Sequence, residues 1–443
     1  MGTENKELKE WYKDQFVKFE KRLNGHSKSF MQKYRVESLK KFDEFELPNM
    51  KNEEWKYTNV RPIFKHNFRP AVLAEKVEVT RQLVDKKLYK QFDCNVMVFV
   101  NGQFEPAFSK LDCLPEGVLV DSLEKVLHII PELVENKITK LSATENSFNA
   151  LNGAFALDGA FIYVPAGKIV EKPIQVLFLG GSKTDDVLIQ PRNLIIAEES
   201  AQVSVIANYQ PIDSDKYFTN IITEVYAGKN SIIDLYKIQN EGSESYHVEK
   251  MDVHQDETSV FSHYSLSFGG SIVRNDVNST LDGEHIECNL FGLYLGNNDQ
   301  HVDNHTFIDH AKPNCVSNEL YKGILDGKSR GVFNGKVMVR EDAQKTLAYQ
   351  SNKTVLLSDH SRIDTKPQLE IFADDVKCSH GATVGHLDDQ AYFYIRSRGV
   401  PSDIAKSMLI RAFVSDVFEK IKITELRDQI NRLIFEHLQR VEI

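Results

Sequence analysis

The sequence is short of several things, and each shortage removes a class of protein. Five of the 443 residues are cysteine (Cys94, Cys113, Cys288, Cys315 and Cys378), and no two form a C-x-x-C pair. That scatter argues against a disulfide framework and against a closed structural zinc site, and it fits reduced thiols. No uninterrupted apolar run approaches the roughly 18 residues that a spanning helix needs, so no membrane association is expected. The opening "GTENKELKEWYKDQF" is charged and lacks the apolar core of a secretory signal, so a cytoplasmic protein is expected. Basic residues are also in deficit, 54 Lys and Arg against 64 Asp and Glu, for a net charge of -10. Nucleic acid and anionic lipid both need a concentrated basic surface, so neither is expected as a general partner.

What is present is the balance of a folded globular chain, 41% hydrophobic and 27% charged. This length exceeds one ordinary core, so two or three structural units are expected. The first, residues 1–150, reads as mixed and largely helical. Leu8, Trp11, Tyr12, Phe16, Phe19 and Leu23 recur at three- and four-residue steps, on one stripe of a helix that "NGHS" at 24–27 breaks. A second helix is expected from about Ser29 to Phe42, then a loop between Pro48 and Pro62 carrying Trp55 and Tyr57. "VMVFVNGQFEPAFS" (96–109) predicts a hairpin turning at Asn101-Gly102, and helix returns from about Leu123 with a break near Pro131.

From about Ala154 the pattern changes. Runs such as "AFIYVP", "QVSVIANY", "NIITEVYA" and "GVFNGKVMV" alternate apolar and polar residues, with no convincing amphipathic helix between them. That excludes a doubly wound sheet and leaves a sandwich, a barrel or a solenoid over residues 151–386. Two-residue turn pairs are scarce, Asp282-Gly283 and Asn334-Gly335 being exceptions, which leans toward the solenoid. Residues 387–443 return to helix. Ser402 is the expected cap of one whose narrow apolar stripe is Ala405, Met408, Leu409, Ala412, Phe413 and Val417. Another is expected from about Thr424, carrying Leu426, Ile430, Leu433, Ile434 and Leu438. So few residues cannot enclose a core, so these helices must lie against the strands or offer a face to a partner.

Three stretches could carry chemistry. "GILDGKSRGV" (323–332) ends like a phosphate loop, but Gly323 is one residue too close and a strand pattern follows where a helix N-terminus is required. His301, His305 and His310 could be ligands, yet strand alternation puts His310 on the opposite face, which favours solvated or hydrogen-bonded histidines. "DDVKCSHGATVG" (374–385) differs. In an extended chain Cys378 and His380 share a face with Val376, Ala382 and Val384, while Lys377, Ser379 and Thr383 face away. Thiol and imidazole together are half a site for a soft transition metal or for iron and sulfide. The plainer alternative is a small buried Cys378 beside a His380 hydrogen-bonded in the core.

The same block, followed by "LDDQAYFYIRSRGVP", resembles the SufB/SufD family of the SUF iron–sulfur cluster assembly machinery. The resemblance extends through "HTFIDHAKPNCVSNELYKGILDGKSRGVFNGKVMV", "DGAFIYVPAGKIVEKPIQVLF" and "EEWKYTNV", and so covers nearly the whole chain. SufB-type chains carry a glutamate-containing "HEA" where this one reads "CSHGA", which favours the SufD branch. The resemblance implies a right-handed parallel β-helix flanked by N-terminal and C-terminal helical regions. It also implies a non-catalytic subunit that pairs with SufB through the β-helix and binds the ATPase SufC through the C-terminal helices, with the Ala405 to Val417 stripe as docking face. His380, with Cys378 as its nearby thiol, would stand at the SufB contact where a nascent cluster forms. Iron and sulfide would be transient there, no cofactor would be held tightly, and ATP would belong to SufC. The alternatives are a SufB-like scaffold, a self-paired homodimer, and a β-helix enzyme acting on polysaccharide.

Overall fold

The computed structural model describes residues 2–23, 30–89, 92–142, 144–212 and 216–438; the expected break at 24–27 and the start at Ser29 lie outside them. The helix Gly2–Arg22 buries Leu8, Tyr12, Phe16, Phe19 and, just beyond its end, Leu23, the stripe its spacing predicts. A second helix, Phe30–Glu44, packs beside it. In the loop that follows, Trp55 is buried, with the Arg274 guanidinium 4.2 Å above its ring. The hairpin turns where expected, with φ of 50° at Asn101 and 78° at Gly102, but its second strand is only Gln103–Phe104. The helices Leu123–Ile129 and Pro131–Glu135 are separated at Pro131.

The rest is a parallel β-solenoid built from two sheets. From Arg192–Ala197 onward successive strands alternate between them, so each parallel crossover is itself a strand of the opposite sheet and no helix is needed to make it. The strands begin before residue 150, because Asn95–Val100 pairs in parallel with Ile174–Gly180. Val260, Glu287, Val316, Leu347 and Lys377 stack in one file, giving 27 to 31 residues per coil. Residues facing the space between the sheets form one continuous core from Met97 to Ala373.

One set of coil corners turns without Asn-Gly or Asp-Gly pairs at the turning residue. One corner of each coil uses a left-handed residue that is not glycine: Ser200, Asn230, Thr258, His285, Asn314 and Lys345, with φ between 57° and 63°. The strain is offset by bonds between coils, Asn230 N to Glu257 O at 3.0 Å and Lys345 N to Asp375 O at 2.6 Å among them.

Helices cover the outer faces unevenly. The N-terminal helices pack on the first sheet around Leu188, Phe218, Tyr246 and Ile272. On the second sheet lie Ser402–Phe418 and Thr424–His437, burying Ile410, Val414, Val417, Leu426, Ile430 and Ile434 against Tyr236, Tyr264, Phe291 and Leu293. Tyr264 Oη donates to Lys420 O at 2.8 Å and Lys322 Nζ to Asp416 Oδ2 at 2.7 Å, pinning these helices to the strands. Between strands and helices stands one element that alternation did not reveal, Asp389–Ser397, capped by Asp388 and without a buried residue. Ser402 is not a cap: it is the first helical residue, and its Oγ bonds the Tyr392 hydroxyl at 2.8 Å. No helix among the described residues is long and apolar enough to cross a membrane.

Candidate functional site

The phosphate-loop remnant is a coil corner. Gly327 has φ of 62°, and the chain runs straight into the strand Arg330–Val339, so no helix N-terminus is there to receive a phosphate. The three histidines do not converge. His310 points inward and bonds Ser317 Oγ at 2.9 Å, while His301 and His305 face outward onto Thr58 Oγ1 at 2.8 Å and Asp303 Oδ1 at 3.1 Å. Near the latter two, Arg274 is paired with Asp276 and Asp303, so the charges there satisfy one another.

The strand Lys377–Gly385 is different because of where it lies. It is the last strand of its sheet, paired only with Leu347–Leu356, and its other edge is open. The partner strand alternates cleanly, with Ala348, Gln350, Asn352 and Thr354 buried, and in a parallel ladder paired residues point the same way. Cys378 stacks on Ala348, His380 on Gln350 and Ala382 on Asn352, so the two soft donors share the inward face their spacing predicts. Cys378 is half-buried and packs against the solenoid core, and burial raises its thiol. His380 is exposed, because no further coil lies above it. This corrects the plainer alternative of an imidazole sealed in the core.

The open end is apolar and unpaired. Val384 is 44% exposed and Phe372 62%, and Ile363, Leu369 and Val376 are only partly covered. The other end strand, Arg362–Ile371, is likewise paired on one side only, and it carries Pro367, which cannot donate to a further strand. Beneath His380 the file continues inward through Gln350 to Glu319, both buried, with Gln350 Nε2 donating to Glu319 Oε2 at 2.6 Å. Burial pushes the Glu319 carboxyl up to about 7. Sequence reading missed this pair. The signal was the coil repeat itself, which recurs at 319, 350 and 380 and becomes visible once the register is known.

The stripe expected to dock a partner is split. Ala405 and Val417 are fully buried, and Phe413 is half-buried with the Lys322 ammonium 4.9 Å from its ring. The helix is apolar on more than one side, so spacing alone mixed its inner and outer residues. Met408, at 41% exposure, Leu409 and Ala412 remain accessible, and the preceding helix exposes Phe393 and Tyr394.

The comparisons with known proteins agree with this architecture. Residues 178–413 match the family model described as the SUF system FeS cluster assembly SufBD core domain, and residues 6–176 match the SufBD protein N-terminal region. The chain belongs to the SufB/SufD family. It is 30% identical over 395 residues to the iron–sulfur cluster assembly protein SufD of Escherichia coli, covering 88% of this chain and 89% of that one. It is 29% identical over 428 residues to an iron–sulfur cluster assembly SufBD family protein of Synechocystis, covering 95% and 94%. The SufD protein of Bacillus subtilis matches at 25% over 423 residues, covering 92% and 93%. The SufBD core match takes in both open end strands and most of the helix Ser402–Phe418, so Cys378, His380 and the exposed helix face lie within the matched region.

Proposed function

We propose that this chain is a SufD-type, non-catalytic scaffold subunit of the SUF machinery. Its open end pairs with a SufB-type subunit, and its C-terminal helices dock the ATPase SufC in the cytoplasm. The observation that carries this reading is an exposed imidazole beside a thiol on the last strand of a solenoid, whose outer edge is open. Imidazole and thiolate are both iron ligands, but two donors do not complete a coordination sphere. A partner's donors brought against the open edge would complete it, so iron and sulfide, the cargo, would be held only while the subunits are in register.

Several features support the pairing. Long edge strands with free N–H and C=O groups invite another chain, and exposed apolar side chains beside them favour its burial. Met408, Leu409 and Ala412 then serve SufC, while Ala405 and Val417 hold the helix to the strands. ATP binds to SufC, which suits a remnant loop here that leads into a strand.

The test is a reconstituted assembly reaction with SufB-type and SufC-type partners. His380→Ala is expected to lower the rate of cluster formation at least about tenfold, the weight of one lost ligand contact of 1.4 kcal/mol or more. Normal assembly by that variant removes the assigned role. Native mass measurement of the co-expressed chains separates the heteromeric complex from a homodimer, and recovery of the homodimer alone contradicts the scaffold reading.

A further inference from the structure

Below the exposed donor pair lies a buried polar pair that packing alone does not explain. Glu319 and Gln350 point into the solenoid on successive coils, and His380 is the next member of their file. Gln350 donates its amide NH2 to Glu319 Oε2 at 2.6 Å. Glu319 is also held by the Thr306 hydroxyl, whereas Gln350 Oε1 is buried with no hydrogen-bond partner among the described residues. A buried acceptor left unmet lowers stability, so its persistence points to a donor that arrives from elsewhere.

Space has been kept for this amide. Opposite it stands Gly335, where a Cβ would fall 2.4 Å from Gln350 Nε2 and 3.0 Å from its Cδ. An amide held by its NH2 on one side presents its carbonyl oxygen away from that side. In this file the direction away from Glu319 leads to the end strand, one strand spacing or about 4.8 Å further on. The residue paired with Gln350 on that strand is His380.

We propose that Gln350, anchored by Glu319, is a positioning residue for His380: its Oε1 accepts one ring N–H and leaves the other ring nitrogen with its lone pair facing out of the solenoid. The consequence is chemical. A neutral imidazole ligates through one nitrogen only, and a fixed acceptor behind it selects which one and aims it. The pocket face of the open end thus comes prepared for a soft transition-metal ion before any partner arrives. This inference rests on the reading of His380 as a donor given above, and it adds two residues that act through it.

The full-length chain labelled with 15N-histidine provides the test, since long-range 15N–1H spectra report each ring's tautomer and His380→Ala assigns the signal. Gln350→Met is expected to shift the His380 tautomer ratio about fivefold, the effect of one hydrogen bond of ordinary strength. Glu319→Leu, which frees the amide to rotate, shifts it in the same direction. Glu319→Gln, whose carbonyl still accepts from Gln350, keeps the wild-type ratio. Should Gln350→Met fail to fold, the contrast between the two Glu319 variants carries the same information. In the reconstituted reaction Gln350→Met slows assembly about fivefold, while Glu319→Gln does not. An unchanged tautomer ratio, with assembly still dependent on His380, overturns the positioning role alone. A shifted ratio with assembly indifferent to His380→Ala upholds positioning and overturns the functional reading.

Discussion

At its first coil the solenoid stops in strands of four and two residues, Leu119–Ser122 and Gln103–Phe104, each antiparallel to its neighbour. At its last coil it stops in strands of ten and nine, Arg362–Ile371 and Lys377–Gly385, each parallel. The early end is better covered: its terminal strand Leu119–Ser122 buries Val120 and Ser122, whereas no residue of Arg362–Ile371 is buried. Short, reversed edge strands close a sheet to further pairing, and long parallel ones leave it open. One end is therefore closed to further pairing and the other open, and the candidate donors sit at the second.

That contrast can be broken by substitution. The largest effect on stability is expected at the closed end. Phe99 is fully buried, with its ring 5.1 Å from that of Phe178, and Phe99→Ala should cost about 3–5 kcal/mol in urea unfolding. Val384→Ala at the open end should stay within about 0.5 kcal/mol in the isolated chain and weaken association with the SufB-type partner instead. Equal losses at both ends would erase the distinction.

Next in size is a pH effect at the buried base of the open end. Burial raises Glu319 from its ordinary 4.5 to about 7, so between these values the folded chain keeps a proton that the unfolded chain releases. Its contribution to stability is present below pH 4.5 and falls as pH rises through 7. Glu319→Gln removes this slope. The variant should gain on the wild type between pH 5 and pH 8 by up to about 3 kcal/mol, measured from urea midpoints. A constant difference across that range would place the carboxyl in contact with water. The smallest effect is expected at Met408, where Met408→Ala should change stability by less than about 0.5 kcal/mol while lowering affinity for SufC.

Much of this was legible where the information was local. Alternation assigned Cys378 and His380 to one face and separated His310 from His301, because the two-residue period of a strand is fixed by backbone geometry. It could not say that the face holding His380 is exposed, since exposure depends on which coil is last. The stripe on Ser402–Phe418 failed for a related reason: with Ile410, Val414 and Phe418 apolar as well, only the position of the strand body decides which side turns inward. The left-handed residues at the corners from Ser200 to Lys345 are not glycines, because bonds to the next coil hold their conformation. Glu319 and Gln350 were silent until the coil length aligned them with His380.

The anchor from Lys322 to Asp416 has a mechanical corollary. Lys322 lies on Val316–Leu325, two strands from the edge that carries His380, a distance of roughly 10 Å. Between this anchor and the rim the backbones are joined by two continuous ladders, so the helix and the rim are mechanically linked. Under the proposed docking of an ATPase on these helices, a displacement there would tilt the rim as a unit without unfolding the strands.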